Sequence, residues 1–441
     1  MSGDTSSFFG LPLELRELIY KDVLVDPSQG PQILRTCREI HSEAHKFLYQ
    51  RPIAFQSQST LYQWLENKPQ ELLSNVQDFL LELQDVDLTP VLVSKPSIDQ
   101  PERSRSLRTW ELYDEELEGL DRAFGRLPSI KALTIRALAG QQTHLYDEFL
   151  GKVLQMLGSH YAALQDLSLE GNLQNQSLTF MRSLKTLTAF TFDGFSASEA
   201  IETAAILSSL NLTRISIVSQ RTLSATHRQH SNLGSKSQSF DGAVLRTVSH
   251  LASFSVSERI PTSSAALFFT PEILNSLHNH ETLRCLSLCL SQAPDEEMLD
   301  TLHDLLKKNR CIETLELDWP HLQVGILYIL TDQLRSLWIR ASSLTASATI
   351  IGAILESKED GGLQQLGRVV LLRNGWDADG MVEELDSEDD DEDEPLEDAE
   401  DDSYYLDEVD FVSAKRALNE LGVEVAWHTE TNQPKYYFLA V

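Results

Sequence analysis

The residues near the N-terminus best suited to chemistry are Cys37, His41 and His45, which follow one another at intervals of four. On a helix this spacing puts the three side chains on one stripe, and thiolate and imidazole are ligands that zinc prefers. Zinc requires a tetrahedron, however, and the outer residues of a straight stripe lie about 12 Å apart at a rise of about 1.5 Å per residue. We therefore predict no metal or other cofactor here, and expect His41 and His45 to lie at the surface or in an interface.

The remaining chemistry-bearing residues form no known catalytic pattern. The sequence contains no G-x-S-x-G, H-E-x-x-H, P-loop or G-x-G-x-x-G motif, so we predict that the chain is not an enzyme. Its four cysteines, Cys37, Cys285, Cys289 and Cys311, include no C-x-x-C pair. No apolar run approaches the roughly 18 to 20 residues that cross a bilayer. Reduced thiols and a cytoplasmic or nuclear location, without a membrane partner, are the expectation.

Negative charge is concentrated in one segment. The chain of 441 residues carries a formal charge of −31, and residues 383 to 410 contain 18 acidic residues and no lysine or arginine. Such a run repels itself and buries little apolar surface, so we predict a disordered acidic insertion over residues 377–410. We expect this segment to serve either as a solubilising loop or as an electrostatic binding site for a basic protein such as a histone tail. The same acidity argues against nucleic acid as a partner, since binding phosphates requires a basic face.

An internal repeat predicts the architecture. The pattern L-x-x-L-x-L, with other aliphatic residues allowed, starts at residues 130, 164, 184, 212, 251, 283, 312, 334 and 366, with further copies at 76 and 418. Amphipathic helical patterns separate the copies. Strand–helix repeats of this length are typical of irregular leucine-rich repeats, so we predict an α/β horseshoe with one parallel sheet and outer helices over residues 70–376. Residues 411–441 are expected to add a terminal capping repeat and a last strand.

The alternation of side chains along a strand assigns the faces of this sheet. In L-x-x-L-x-L the aliphatic side chains point into the core, and the third, fifth and seventh positions point outward. In the last three copies before the acidic run, these outward positions combine a tryptophan with charges of both signs, which is the composition of a binding hot spot. The predicted substrate-binding residues are Glu316, Asp318, Trp338, Arg340 and Arg368. The alternative is that helices, insertions or the C-terminal segment cover them.

Two amphipathic helices precede the repeats. Leu11, Leu15, Leu18 and Ile19 form one stripe, with Pro12 at a first helical position, and a second stripe runs from Ile33 to Phe47. So few residues rarely hold a core of their own, and we expect the stripes to pack on a partner or on the repeats. The segments "FFGLPLELRELIYKDVL" and "ILRTCREIHSEAHKFLYQRPIAF" resemble the F-box family. The resemblance covers residues 8–60 and includes the pattern T-C-R-x-I-x-x-E in the second helix.

The resemblance implies a substrate-recognition subunit of an SCF-type cullin–RING ubiquitin ligase. In that family the F-box docks on the Skp-type adaptor of the cullin complex, and the C-terminal repeats hold a protein substrate. Carried over by position, the adaptor-binding residues are Leu11, Pro12, Leu15, Ile19, Leu34 and Cys37. The alternative is a repeat scaffold for protein–protein interaction, unrelated to a ligase, in which the N-terminal helices cap the horseshoe. The two hypotheses differ in whether the stripe of Leu11, Leu15 and Ile19 is accessible to solvent.

Overall fold

The computed structural model describes residues 8–25, 31–89, 103–137, 143–219, 238–258, 267–373, 402–429 and 437–438. They form parallel β-strands that alternate with helices, so the predicted α/β class is confirmed. The chain divides into two compact units. The first takes in the described residues of Met1–Asn211, Gln229–Ser239 and Pro434–Val441, and the second those of Leu212–Arg228 and Phe240–Gln433.

The first unit begins with a cluster of short helices. In chain order these are the 3₁₀ helix Phe8–Gly10, α1 (Leu13–Val25), the 3₁₀ helix Pro31–Arg35, α2 (Arg38–Ala44) and the 3₁₀ helix His45–Gln50. They share one small core, formed by Tyr20, Leu24, Leu34, Ala44 and Phe47. This segment therefore buries an apolar core of its own, in contrast to the expectation from its length.

A parallel sheet follows in the same unit, in the order β13-β1-β2-β3-β4-β5. Its strands are β1 (Ile53–Phe55), β2 (Asp78–Leu83), β3 (Ala132–Ala137), β4 (Asp166–Glu170), β5 (Ala189–Phe192) and β13 (Tyr437–Phe438). Its helices are α3 (Gln58–Glu66), α4 (Gln70–Leu73), α5 (Arg103–Gly125), α6 (His144–His160), the 3₁₀ helix Leu178–Ser183 and α7 (Ala200–Leu207).

The second unit repeats the strand–helix alternation. Its sheet has the order β6-β7-β8-β9-β10-β11-β12, and all of its strand pairs are parallel. The strands are β6 (Arg214–Val218), β7 (Ser253–Glu258), β8 (Cys285–Leu290), β9 (Thr314–Asp318), β10 (Ser336–Arg340), β11 (Arg368–Arg373) and β12 (Glu424–Thr429). The helices are α8 (Gly242–Arg246), α9 (Pro271–Leu277), α10 (Glu296–Lys308), the 3₁₀ helix Val324–Ile329, α11 (Leu344–Glu359) and α12 (Asp402–Glu420).

The repeated leucines explain why the strands stack in register. Leu286, Leu315, Leu337 and Val369 lie side by side across β8 to β11, and each is at most 1% exposed. Burial of such a side chain stabilises the fold by about 1.5–3 kcal/mol. A strand that slipped by one residue would turn this entire row toward solvent. The spacing of the aliphatic residues thus fixes both the position and the face of each strand.

Two of the predicted repeat copies are misplaced. The copy assigned to residue 184 would point Phe190 outward, but β5 begins at Ala189 and buries both Phe190 and Phe192. The copy assigned to residue 418 falls on the end of helix α12, and the strand that follows starts only at Glu424. The early copy at residue 76 is confirmed, because its residues form β2 and pair with β3.

The C-terminal part of the chain also differs from the expectation. Residues 374–401, which hold most of the predicted acidic insertion, lie outside the described residues. The last part of the run is helical rather than disordered, since α12 starts at Asp402. The final strand β13 pairs with β1 of the first unit and not with β12.

One buried carboxylate of the second unit binds the backbone just before α9. Glu258 is 6% exposed, and its carboxylate accepts hydrogen bonds from the backbone N–H groups of Leu267 (2.9 Å), Phe268 (2.5 Å) and Phe269 (3.1 Å). Removing the carboxylate leaves buried donors unpaired, so we expect Glu258→Ala to lower the free energy of unfolding by about 3 kcal/mol. Chemical denaturation measures this. The exposed Glu281 supplies the control, and equal effects of Glu258→Ala and Glu281→Ala would contradict the prediction.

Candidate functional site

Helix α1 exposes several large apolar side chains to solvent. Its buried side is anchored by Tyr20 and Leu24, both 0% exposed, whereas Leu15 and Ile19 are 47% and 40% exposed. The large apolar side chains exposed here, which we call the α1 apolar face, are Phe9, Leu11, Leu15, Leu18 and Ile19. Leu13 is also exposed, but it lies about 160° around the helix from Leu15 and is not part of this face. Single exposed leucines are normal on protein surfaces, but contiguous apolar patches mark interaction sites. The α1 apolar face therefore has the composition of a helix surface that binds in a hydrophobic groove of a partner.

A charged clamp holds this face in position. The Arg16 guanidinium donates to both carboxylate oxygens of Glu43 on α2, at 3.0 and 2.5 Å, and the Tyr20 hydroxyl donates to the same carboxylate at 2.9 Å. The Arg16 guanidinium also donates to the carbonyl oxygens of Phe9 (3.2 Å) and Leu11 (2.9 Å). The clamp therefore ties the segment before α1, the helix itself and α2 together.

The ionisation of the clamp follows from these contacts. The hydrogen bond from Arg16 lowers the pKa of the Glu43 carboxyl, so this group remains a carboxylate in mildly acidic solution. Burial, together with the hydrogen bond to Glu43, raises the pKa of Tyr20 to about 12, which keeps its hydroxyl a donor. The sequence analysis did not identify Arg16 or Glu43 as functional. The sequence could have identified Glu43, because it is the final glutamate of the T-C-R-x-I-x-x-E pattern.

The six predicted adaptor-binding residues are not all on one surface. Leu11, Pro12, Leu15 and Ile19 are exposed at the start of the chain. Leu34 is buried in the small core with Tyr20 and Leu24, so its assignment as a contact residue is wrong. Cys37 is exposed, but its sulfur serves as the N-cap of α2 and accepts a hydrogen bond from the Ile40 N–H at 3.5 Å.

The two histidines of the N-terminal stripe lie beside each other. The rings of His41 and His45 stack with centroids 5.2 Å apart. Cys37 is the N-cap of α2, whereas His45 is its C-cap. Within the described part of the chain, no group of three His, Cys, Asp or Glu residues is arranged to hold a metal ion. No helix among the described residues is long and apolar enough to span a bilayer.

The predicted sheet-face site is centred on Trp338 in the second unit. Trp338 is half-buried and lies directly beside Glu316 of β9 in the strand register. The Arg368 guanidinium lies 5.7 Å from the centre of the Trp338 ring, and the indole N–H donates to the Ser336 hydroxyl at 3.1 Å. The His428 ring of β12 packs edge-on against the indole at 5.7 Å. We call Trp338, Arg368 and His428 the indole cluster.

Three of the four predicted charged residues already interact within the protein. Asp318 is 3% exposed and pairs with Arg340, whose Nε lies 2.8 Å from the Asp318 carboxylate. The assignment of Asp318 as an accessible binding residue is therefore wrong, and Arg340 is committed to neutralising it. Glu316 accepts a hydrogen bond from the Ser287 hydroxyl at 2.6 Å. Of the five predicted residues, Trp338 and Arg368 remain as candidates for binding, and His428, which the sequence analysis missed, packs against Trp338.

Neither a protein-family model nor a curated protein sequence matches this chain.

Proposed function

We propose that the chain is a substrate-recognition subunit of an SCF-type cullin–RING ubiquitin ligase. Residues 8–60 act as an F-box-like unit that docks on the Skp-type adaptor. The strand–helix repeats act as an irregular leucine-rich-repeat horseshoe that holds a protein substrate. The chain contributes binding surfaces and no catalytic group or cofactor, and it functions in the cytoplasm or the nucleus.

The observation that carries this proposal is the exposure of the α1 apolar face. If the N-terminal helices served only to cap the repeats, Leu11, Leu15 and Ile19 would be buried against them. They are instead 38%, 47% and 40% exposed, while the rest of the helical segment has its own core. An apolar helix face fixed by a charged clamp favours docking over capping.

Binding to the adaptor tests the proposal directly. Full-length protein mixed with a purified Skp-type adaptor should elute as a single complex in size-exclusion chromatography and give a saturable titration. An adaptor preparation that binds another F-box protein serves as the positive control. If that preparation leaves this chain unbound, the ligase proposal fails and the repeat scaffold becomes the better hypothesis.

The substrate is expected to contact the indole cluster. Truncating a tryptophan at the centre of an interface typically costs 2 kcal/mol or more, which is about thirtyfold in affinity. We therefore expect Trp338→Ala to reduce the amount of substrate isolated with the protein about thirtyfold, without changing adaptor binding. Quantitative mass spectrometry of the isolated ligase complexes measures both quantities in one sample.

The matched control is Ser255→Ala on β7, which lies at an outward position but offers only a hydroxyl. It should change neither quantity. Equal substrate recovery with Trp338→Ala and Ser255→Ala would place the substrate site elsewhere. A large fall in the melting temperature of Trp338→Ala would instead assign the indole a structural role.

A further inference from the structure

A cavity of about 370 Å³ lies in the first unit, where the helical segment meets β1 and α3. Its size falls within the range of about 300–1,000 Å³ that is usual for small-molecule sites. None of the α1 apolar face lines it. The cavity is therefore separate from the surface that we propose for the adaptor.

The apolar wall of the cavity is aromatic. The rings of Tyr49 and Trp64 lie with centroids 6.0 Å apart at an angle of 41°, and both residues are 8% exposed. Trp64 is held from behind by Phe55 of β1, whose ring centre lies 5.3 Å away. Fixed aromatic surfaces of this kind favour a flat apolar ligand, because stacking adds to the area that is buried.

The polar part of the cavity is basic. His45, Arg51 and Lys68 line it, and no acidic side chain is among the described lining residues. The Arg51 guanidinium donates to the carbonyl oxygen of Leu24, which fixes this side chain. Lys68 forms no salt bridge with any carboxylate in the described part of the chain. Arg51 and Lys68 therefore give this wall its positive charge at neutral pH, in a chain of formal charge −31.

The pKa of His45 reflects these basic neighbours. Burial lowers the pKa of His45, and the electrostatic effect of the neighbouring His41 and Lys68 lowers it further. A bound anion would reverse the effect of these cations. A cavity with an aromatic wall and an unneutralised ammonium group is complementary to a ligand that carries both a flat ring system and a negative charge.

We propose that this cavity binds a small aromatic anion, with the ring system against Tyr49 and Trp64 and the anionic group beside Lys68. This inference goes beyond the proposed ligase function, and it holds or fails independently of adaptor binding. Lys68 supplies the charge that selects an anion over a neutral aromatic compound. The aromatic wall supplies the affinity that both kinds of compound share.

Two fluorescent probes that differ in charge test the proposal: the anion 8-anilinonaphthalene-1-sulfonate and its neutral relative N-phenyl-1-naphthylamine. We expect the anion to bind at one saturable site of the full-length protein. Lys68→Gln should weaken its binding about three- to fivefold, as for the loss of one partly exposed charge interaction, and Lys68→Glu should weaken it further. Binding of the neutral probe should change little in either variant.

The control is Lys131→Glu, which makes the same charge change at an exposed lysine of the same unit. It should leave the affinity for the anionic probe within about twofold of the unmodified protein, because an exposed charge at a distance is screened by salt. Three results would overturn the proposal: no saturable binding of the anion, equal losses for both probes in the Lys68 variants, or equal effects of Lys68→Glu and Lys131→Glu.

Discussion

Replacing Leu15 and Ile19 together by glutamate is expected to abolish adaptor binding while leaving the protein folded. Both side chains belong to the α1 apolar face and are 47% and 40% exposed, so neither contributes to the small core around Tyr20 and Leu24. In a complex, each glutamate would place an unpaired charge in an apolar groove, which costs several kcal/mol per group. We therefore expect the affinity to fall by more than about a hundredfold.

The measurement is an adaptor titration combined with a thermal melt of the same protein. Ile201→Glu is the matched control, because Ile201 is an exposed isoleucine on α7, outside the α1 apolar face, and is 83% exposed. It should bind the adaptor as the unmodified protein does. Undiminished binding of Leu15→Glu/Ile19→Glu would exclude the α1 apolar face as the docking surface. A melting temperature lowered by many degrees would show that the face supports the fold.

The α1 apolar face also shows what a helical periodicity can and cannot predict. The stripe of leucines predicted an amphipathic helix. The structure confirms a helix, but α1 is apolar on both sides, and periodicity did not reveal which side faces the core. Tyr20 and Leu24 point inward here because they meet Leu34, Ala44 and Phe47. Leu34 was assigned to the adaptor surface by its position in the F-box resemblance, whereas in this chain it packs in the small core.

The strand pattern was more informative, because a two-residue period leaves only two choices of face. Eight of the nine main repeat copies, those at residues 130, 164, 212, 251, 283, 312, 334 and 366, place the expected apolar residues in the core of β3, β4, β6, β7, β8, β9, β10 and β11. The copy at 184 failed because "LKTLTAFTF" contains two overlapping matches, and the first of them was taken as the repeat. The structure uses the second match, which buries Phe190 and Phe192.

The alternation of side chains along the strands could not predict which outward side chains pair with each other. Alternation correctly placed Asp318 and Arg340 on the outward side of β9 and β10. It could not predict that the two side chains form an ion pair with each other. Val370 and Leu372 also occupy outward positions and are nevertheless only 2% and 6% exposed. His428 was missed for a different reason, since the strand that carries it begins at Glu424 and not within the predicted copy at residue 418.

Asp193 is expected to make the first unit less stable as the pH rises. It follows β5, is 0% exposed, and its Oδ1 accepts a hydrogen bond from the Phe195 N–H at 3.0 Å. Its Oδ2 has no hydrogen-bond partner among the described residues. Burial raises the pKa of Asp193 to about 7, because the carboxylate has lost its hydration without gaining a cation.

The direction of the effect follows from proton binding. In the unfolded chain the Asp193 carboxyl has its ordinary pKa of 3.8, so it loses its proton at a pH where the folded protein still retains it. Between about pH 4 and pH 7 the folded state therefore binds more protons, and the free energy of unfolding falls as the pH rises. Above about pH 7 both states are ionised, and this group causes no further change.

Asp193→Asn removes the titration and retains the side-chain oxygen that accepts from the Phe195 N–H. Between pH 5 and pH 8 we expect the stability of the variant relative to the unmodified protein to rise by roughly 2 to 3 kcal/mol. Urea denaturation at both pH values measures this difference, and it is insensitive to any constant cost of burying the amide. Asp22→Asn, at an exposed aspartate of α1, should show no such rise. Parallel pH profiles for Asp193→Asn and the unmodified protein would mean that the Asp193 carboxylate is solvated or paired in the folded state.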